Sequence, residues 1–529
     1  MKRRILDNIV SFLAVTVVFS MLMTTACSKA EPLVTEDSSA AVSATAATET
    51  SAPAEETTTE TAATTEETEK DPSAGTPETT SEPFTSTDNI FGAGDKEFFV
   101  PFSDPEHSYC LINEGVSTPV REQGWGGCYA YSAVTSMQSE YLKEHGDLID
   151  INPVDIIDRI YEGPDLFTGE EPEHDEEKYY ISSGLNTDLG GDIFRVTAAL
   201  CASPLNGYLV EGTDILGTYK CKVPFMPQIS EKDLKSYIRE NGAVCMIVNY
   251  KKDCKMVNGY YSQNYQENDS DNDHVATIIG WDDNFPKDGF KTPAKKNGAW
   301  LVQNSFGEFW GNCGFYWVSY EMPIPEIQSC HLTKEYSSAV SYGRFAESSV
   351  MSPDVIKKVG KVMNPSKITM EEMLNCKEVE AATVYDVKGK IAAVGFWTAL
   401  PDQPYTIEIL DGEFGEVLTT VTGCEEYMGY HTVRLPQTVE ADKYTVVLKL
   451  PAELFFEGAS QDVDLNTVFQ KIPARYEVMT EPGRSFIKIG GEWVDVTTPD
   501  IKTLLGFDGI LYYDEFTSPG DPSITVLFE

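Results

Sequence analysis

Residues Thr118–Val134 read TPVREQGWGGCYAYSAV, with one cysteine behind a glycine-rich turn and ahead of alternating aromatic and small residues. After Cys128 the residues Ala130, Ala133, Met137 and Tyr141 recur at helical spacing. The pattern predicts a helix that starts at or near the cysteine. A helix start presents unpaired N–H groups and a partial positive charge, both of which favour thiolate over thiol. That is where a nucleophile is useful, although an ordinary buried thiol can sit there too.

A thiol serves catalysis only where a base holds it ionised and a third group orients the base. Of six histidines, His274 opens the apolar run HVATIIGW (His274–Trp281). This run and AVCMIVNY (Ala243–Tyr250) are rich in β-branched residues and bounded by turn formers, so both read as strands. Gly298–Tyr320 reads as a hairpin around Gly307, Gly311 and Gly314, and Asn304 lies in it between Gln303 and Ser305. Singly, a histidine at a strand start is more often a packed residue, and an asparagine before serine more often a turn. Their order changes this, because His274 follows Cys128 within the ~130–150 residue spacing of one class of thiol enzymes, with Asn304 somewhat beyond it.

The three strings TPVREQGWGGCYAYSAV, DHVATIIGW (Asp273–Trp281) and NSFGEFWGNCGFYWV (Asn304–Val318) together resemble the nucleophile, histidine and asparagine segments of papain-like cysteine peptidases. The resemblance implies a two-lobed α+β peptidase domain in which Cys128 attacks the scissile carbonyl, His274 takes and returns the proton, and Asn304 orients the imidazole. It implies that Gln123, with the Cys128 N–H, donates to the oxyanion, and that Trp310 covers the asparagine–histidine bond. DLGGD (Asp188–Asp192) resembles the glycine pair beside which a substrate backbone extends, so Gly190 and Gly191 become substrate-binding residues. Val275 would line the pocket for the substrate residue two before the scissile bond. The loop from Gln123 to Cys128 is one residue shorter than the family's usual loop, the cysteine normally preceding the nucleophile is absent, Tyr129 replaces a tryptophan, and Phe306 stands where the family has Trp.

From about Ser341 the pattern changes to short alternating strands, including KIAAVGFWT (Lys390–Thr398), GYHTVRL (Gly429–Leu435) and PGRSFIKIGGEWVDV (Pro482–Val496), the signature of an antiparallel sandwich. These stretches resemble the lectin-like domain that follows the peptidase domain in clostridial-type surface peptidases. Exposed aromatics such as Trp493 would serve a carbohydrate or cell-wall ligand there, or the sandwich would act as a scaffold. His431, the histidine of this half, is expected to pack or hydrogen-bond.

The remaining features set the frame. At 529 residues the chain exceeds the roughly 250–300 residues of a single core. Lys2, Arg3 and Arg4 precede an apolar run and small residues before Cys27, an export signal of lipoprotein type in which Cys27 is the lipidated residue; plain secretion is the alternative. From Ser28 to Asp88 about 14 acids face two lysines among Thr, Ala, Ser and Pro, a composition that does not bury enough apolar surface to fold and reads as a tether. The expected organisation is a signal at 1–26, a tether at 27–92, the peptidase at 93–338 and the sandwich at 339–529. A formal charge of −44 argues against a nucleic-acid surface. Eleven cysteines without a C-x-x-C pair or tight Cys/His spacing predict no structural zinc, and no other cofactor is expected. Asp269, Asp271 and Asp273 copy the start of a calcium loop, but the glycine and glutamate positions are wrong, so a solvated loop is expected. The segment from Phe98 to Asn113 either lies in the cleft until cut or leaves the enzyme active as made. The leading function is an exported, membrane-anchored endopeptidase acting on protein or peptide. A surface adhesin with a degenerate peptidase fold and acyl transfer to an amine are the other readings.

Overall fold

The computed structural model describes residues 106–116, 118–123, 126–162, 179–181, 190–193, 195–196, 216–223, 229–250, 254–265, 274–324, 326–333, 335–343, 348–351, 378–398, 401–427, 429–451, 454–457, 461–466, 471–476, 480–489, 491–498 and 520–529. The leader, Cys27, the tether and the acidic stretch before His274 lie outside them.

Helix α1 (Cys128–His145) begins at the cysteine, as the spacing predicts. Its N-cap is Gly127, which supplies no side-chain acceptor, and its first turn holds no acid, so the positive end of the helix is left for another group. Gly146 closes it in the left-handed conformation at φ 77°, donating to the Leu142 carbonyl. Every residue from Tyr129 to Leu142 is buried, so α1 is a core helix up to its last turn. Helix α2 (Pro153–Ile160) is capped by Asn152, whose side chain accepts from Val154 N–H, with proline in the first turn. Helix α3 (Glu231–Asn241) is capped in the same way by Ser230.

A nine-stranded sheet carries these helices. Its strands are β1 (Ser108–Cys110), β2 (Leu216–Val223), β3 (Val244–Val248), β4 (Lys255–Val257), β5 (Tyr260–Gln263), β6 (His274–Asp282), β7 (Ala299–Gln303), β8 (Phe315–Ser319) and β9 (Glu326–Thr333), in the order β2-β9-β3-β6-β7-β8-β5-β4 with β1 added on β6. Strand β6 is buried along its whole length, which explains its unbroken apolar sequence. Strands β7 and β8 form the expected hairpin, from Phe315 opposite Gln303 to Ser319 opposite Ala299. Ile278, Trp281, Trp300, Val302, Tyr316 and Val318 join Leu234 and Ile238 of α3 in one hydrophobic core. Among the described residues no helix is long and apolar enough to cross a membrane.

Strand β1 settles where residues 106–113 run. Ser108–Cys110 pair with Asp282–Gly280, at the opposite end of β6 from His274, so this part of the segment is built into the sheet and does not fill the cleft. The pairing depends on Gly280: a Cβ there would stand 2.3 Å from the Tyr109 carbonyl oxygen and 2.9 Å from Cys110 Cα. Because both obstacles are backbone, Gly280→Ala must move β1 away. We expect a loss of about 1–3 kcal/mol, read as a lower thermal midpoint together with faster amide exchange in β1.

The C-terminal half is the expected sandwich. One sheet orders β10 (Ser338–Ser341), β19 (Ile524–Phe528), β12 (Gly389–Thr398) and β15 (Gly429–Ala441) as β10-β19-β12-β15. The other orders β11 (Val379–Tyr385), β13 (Gln403–Asp411), β14 (Val417–Glu425), β16 (Tyr444–Leu450), β17 (Ser485–Ile489) and β18 (Glu492–Asp495) as β14-β13-β16-β11-β17-β18. Ile391, Phe396, Val433 and Val526 of the first meet Ile407, Val446, Leu448 and Ile487 of the second in a second core. His431 hydrogen-bonds as expected, to Thr398 through Nε2 at 2.8 Å and to Glu425 through Nδ1 at 3.1 Å. Trp493 is different from expectation. It is half-buried, with Phe414 at 5.2 Å between ring centroids and Lys488 Nζ 5.4 Å over its ring, so its ring already has partners within its own domain. A strand at Lys471–Tyr476 also pairs with Tyr179–Ile181, joining the two halves through backbone hydrogen bonds.

Candidate active site

The site begins at the loop that follows β7. Asn304 N–H donates to the Gly314 carbonyl and Gly314 N–H to the Trp310 carbonyl, so the turn between β7 and β8 fixes the asparagine backbone. His274 stands at the start of β6, beside β7. Its Nε2 lies 2.7 Å from Asn304 Oδ1, with both residues almost fully buried. Asn304 Oδ1 also accepts from Ser305 N–H at 2.9 Å, which identifies it as the acceptor oxygen of the amide. Nε2 therefore carries the ring proton, and Nδ1 is left with a lone pair for a second partner. Phe306 stacks on the imidazole at 4.9 Å and Tyr250 meets it at 5.2 Å. Trp310 packs edge-on against Phe306 and borders Tyr250 at 5.9 Å, one ring farther out. The cover over the His274–Asn304 bond is thus a small aromatic cluster led by Phe306, where the sequence pointed to Trp310.

Cys128, at the N-terminus of α1, is held against the same strand end. Ser132, one turn along α1, donates to the carbonyl of Val275, the residue after His274, at 2.9 Å. Ser136, a turn farther on, donates to Ala243 O and accepts from Cys330 N–H, so α1 lies across β6, β3 and β9 with its cysteine end toward His274. The segment before the cysteine is anchored as well. Gln123 N–H donates to Ser305 O at 2.8 Å, Glu122 bridges Phe306, and Gly307 N–H donates to Arg121 O at 3.0 Å. This short antiparallel ladder brings Gln123 beside Asn304 despite the shortened loop. The Gln123 side chain is oriented too, since its Oε1 accepts from Ser305 Oγ at 2.5 Å, leaving the NH₂ as donor.

Gly191 lies against the start of α1, with Gly190 before it. A Cβ on Gly191 would stand 2.6 Å from the ring of Tyr129, so the glycine lets the backbone rest on the aromatic face next to Cys128. Tyr161 donates to the Gly190 carbonyl at 2.6 Å and accepts from Arg195 Nη1 at 2.8 Å, while Asp192 Oδ1 accepts from Arg195 N–H. The pair is therefore held from below. Val275 is buried, and Thr277 two residues on directs its hydroxyl to Ser132 O, so the face carrying both side chains is the one α1 covers.

The structure adds residues that the sequence reading did not assign. Ser305 is visible in the NSFG string, but its bond to Gln123 joins positions 182 apart. Tyr161 and Arg195 brace the glycine pair, and Tyr250 borders the imidazole. Glu326 is buried with its carboxyl pushed up to about 8 by desolvation, then by the charge of Asp192. Among the described residues no group of three or more His, Cys, Asp or Glu could hold a metal ion.

Residues 202–340 match the sequence profile described as papain family cysteine protease, and residues 368–504 match that of a lectin like domain. The first match includes His274 and Asn304 and begins beyond Cys128. Cathepsin K of Mus musculus is 25% identical over 209 residues, 38% of this chain and 56% of that protein. A viral cathepsin of Heliothis zea nuclear polyhedrosis virus is 23% identical over 232 residues, 42% of this chain and 53% of that protein. The chain thus spans about half the length of the curated relatives it matches. Among solved structures, the clostridial cysteine protease Cwp84 after propeptide cleavage superposes with a TM-score of 0.54 at 18% identity, covering 80% of this chain and 98% of that one. The cysteine protease and lectin-like domains of Cwp84, a surface layer associated protein of Clostridium difficile, superpose with a TM-score of 0.50 at 17% identity, covering 79% and 88%.

Proposed function

From the premise that this chain carries a papain-like peptidase domain followed by a C-terminal lectin-like domain, we propose that it is an exported cysteine endopeptidase. The observation that carries the reading is the 2.7 Å bond from His274 Nε2 to Asn304 Oδ1 beside the helix that starts at Cys128. With Nε2–H committed to the asparagine, Nδ1 takes the thiol proton. The Cys128 thiolate attacks the scissile carbonyl, and the resulting oxyanion is met by the Cys128 N–H at the helix start and the Gln123 amide. Collapse expels the amine, which takes the proton from His274 Nδ1 and leaves a thioester. Water, deprotonated by the same nitrogen, attacks the thioester, and the acid departs as the thiolate reforms. Gly190 and Gly191 carry the substrate backbone, with Val275 lining the adjacent pocket and Trp310 backing the aromatic cover.

Export is supported by Lys2–Arg4 and the apolar run before Cys27, and lipidation of Cys27 would hold the enzyme at the outer membrane face. The surface-layer association stated for Cwp84 supports an extracellular location. The lectin-like half would bring the peptidase to a carbohydrate or cell-wall ligand.

A peptidyl epoxide tests this directly. One equivalent should form a thioether at Cys128, found by mass mapping, and should stop hydrolysis of a peptide library. Hydrolysis that persists after full labelling, or a label on another cysteine, overturns the assignment.

A further inference from the structure

Tyr161 is buried against the glycine pair, and its place in the chain is set by both halves of the molecule. Its strand, Tyr161–Glu162, runs parallel to Tyr179–Ile181, with Tyr161 opposite Tyr179 and Glu162 opposite Tyr180. Tyr179–Ile181 in turn pairs antiparallel with Lys471–Tyr476 of the sandwich half, Tyr179 opposite Tyr476 and Ile181 opposite Ala474. A fourth strand, Gln461–Asn466, completes a hairpin with Lys471–Tyr476, from Gln461 opposite Tyr476 to Asn466 opposite Lys471. One row therefore crosses four strands: Tyr161, Tyr179, Tyr476 and Gln461.

The peptidase half supplies strands of only two and three residues to this sheet. A two-stranded ribbon is marginal in water even at full length, and parallel pairing is slightly weaker per residue than antiparallel. The six-residue strands of the sandwich hairpin give the short pair a template. Tyr161 carries the consequence to the cleft. Its hydroxyl accepts from Arg195 Nη1 at 2.8 Å and donates to the Gly190 carbonyl at 2.6 Å. That carbonyl and the Gly191 N–H belong to one planar peptide unit and point in opposite directions. Fixing the carbonyl on Tyr161 therefore turns the Gly191 N–H the other way, and among the described residues this N–H has no acceptor. An extended peptide backbone needs a donor of this kind, and orienting it beforehand removes an entropic cost from binding.

We propose that the sandwich hairpin is a working part of the substrate cleft: its pairing with Tyr179–Ile181 fixes Tyr161, and Tyr161, as a positioning residue, fixes the Gly190–Gly191 peptide on which an extended substrate docks. The inference rests on the peptidase reading above and goes beyond it in making the second half a determinant of peptide affinity. Two fluorogenic peptides test it, one with four residues before the scissile bond and one with a single residue, too short to reach the glycine pair. In the full chain, Arg475→Pro puts a proline in a central strand of this sheet and breaks its ladder. We expect KM for the long peptide to rise at least fivefold, with its kcat and the short peptide's kcat/KM within twofold of wild type. Tyr161→Phe keeps the ring and removes the hydroxyl; it should raise KM for the long peptide by a similar factor, and the double variant should go no further than the larger single effect. Equal losses on both peptides in folded Arg475→Pro overturn the proposal, as do an unchanged KM or losses that multiply in the double variant. Linkage gives a second readout on wild-type protein: a long peptidyl epoxide in the cleft slows amide exchange in Lys471–Tyr476, and unaltered exchange there also overturns the proposal. Failure of the peptidase reading looks different: wild-type protein would then cleave neither peptide and leave Cys128 unlabelled by the epoxide.

Discussion

Replacing His274 with alanine lowers kcat for peptide hydrolysis about as far as replacing Cys128, on the order of 10⁶-fold, and the double variant falls no further. The reason is that the two groups act as one unit. Without the imidazole the thiol loses the base that the mechanism assigns to it, and without the sulfur the imidazole has nothing to deprotonate. Asn304→Ala is milder. It removes the acceptor that holds Nε2–H at 2.7 Å and so frees the ring to turn, but Phe306 and Tyr250 still restrain it by stacking. Its loss should lie near the lower end of the ~10²–10⁴ range that positioned proton transfer contributes. Steady-state kinetics on the two single variants, the double variant and Asn304→Ala check this order. Additive losses in the His274/Cys128 double variant would show that the two side chains work independently and would sink the proposed mechanism.

The parts of this site that are legible in the sequence are local. The start of α1 shows in the spacing after Cys128, β6 in its β-branched run, and Asn304 in a hairpin punctuated by glycines. The sandwich strands are equally clear, because alternation with a period of two is written along each strand. The illegible parts depend on contacts between distant segments. The ladder that places Gln123 is made by Arg121–Gln123 lying along Ser305–Gly307, and no spacing within either stretch announces it. Phe306 reads as a substituted tryptophan, and its stacking on His274 appears only once the strands are paired. Trp493 reads as an outward aromatic on a short strand; that Phe414 would lie against it depends on a turn from another part of the same sheet. Glu326 is the sharpest case. Nothing within EIQSC marks its acid as buried, which follows only from the row through Ile247 to Val275.

That burial has a consequence for stability. Desolvation, with Asp192 adding to it, pushes the Glu326 carboxyl up to about 8 in the folded protein, while an unfolded chain releases the proton near the ordinary ~4.3. Over the interval between these values the folded state holds one more proton than the unfolded state, so stability falls as pH rises. The contribution is fully present below pH ~4 and is lost by the time the folded group itself ionises. At about 1.4 kcal/mol per unit, the span corresponds to a loss on the order of 4–5 kcal/mol. Glu326→Gln has no proton to release, and the other titrating groups, Asp192 and its partner Arg195 among them, are common to both proteins. The difference in chemical denaturation midpoints should therefore be small near pH 4.5 and should open progressively to pH 8, with the glutamine variant the more stable at the alkaline end. A difference that stays flat across this interval would mean that Glu326 is ionised when folded and already has a cation or solvent at its carboxyl.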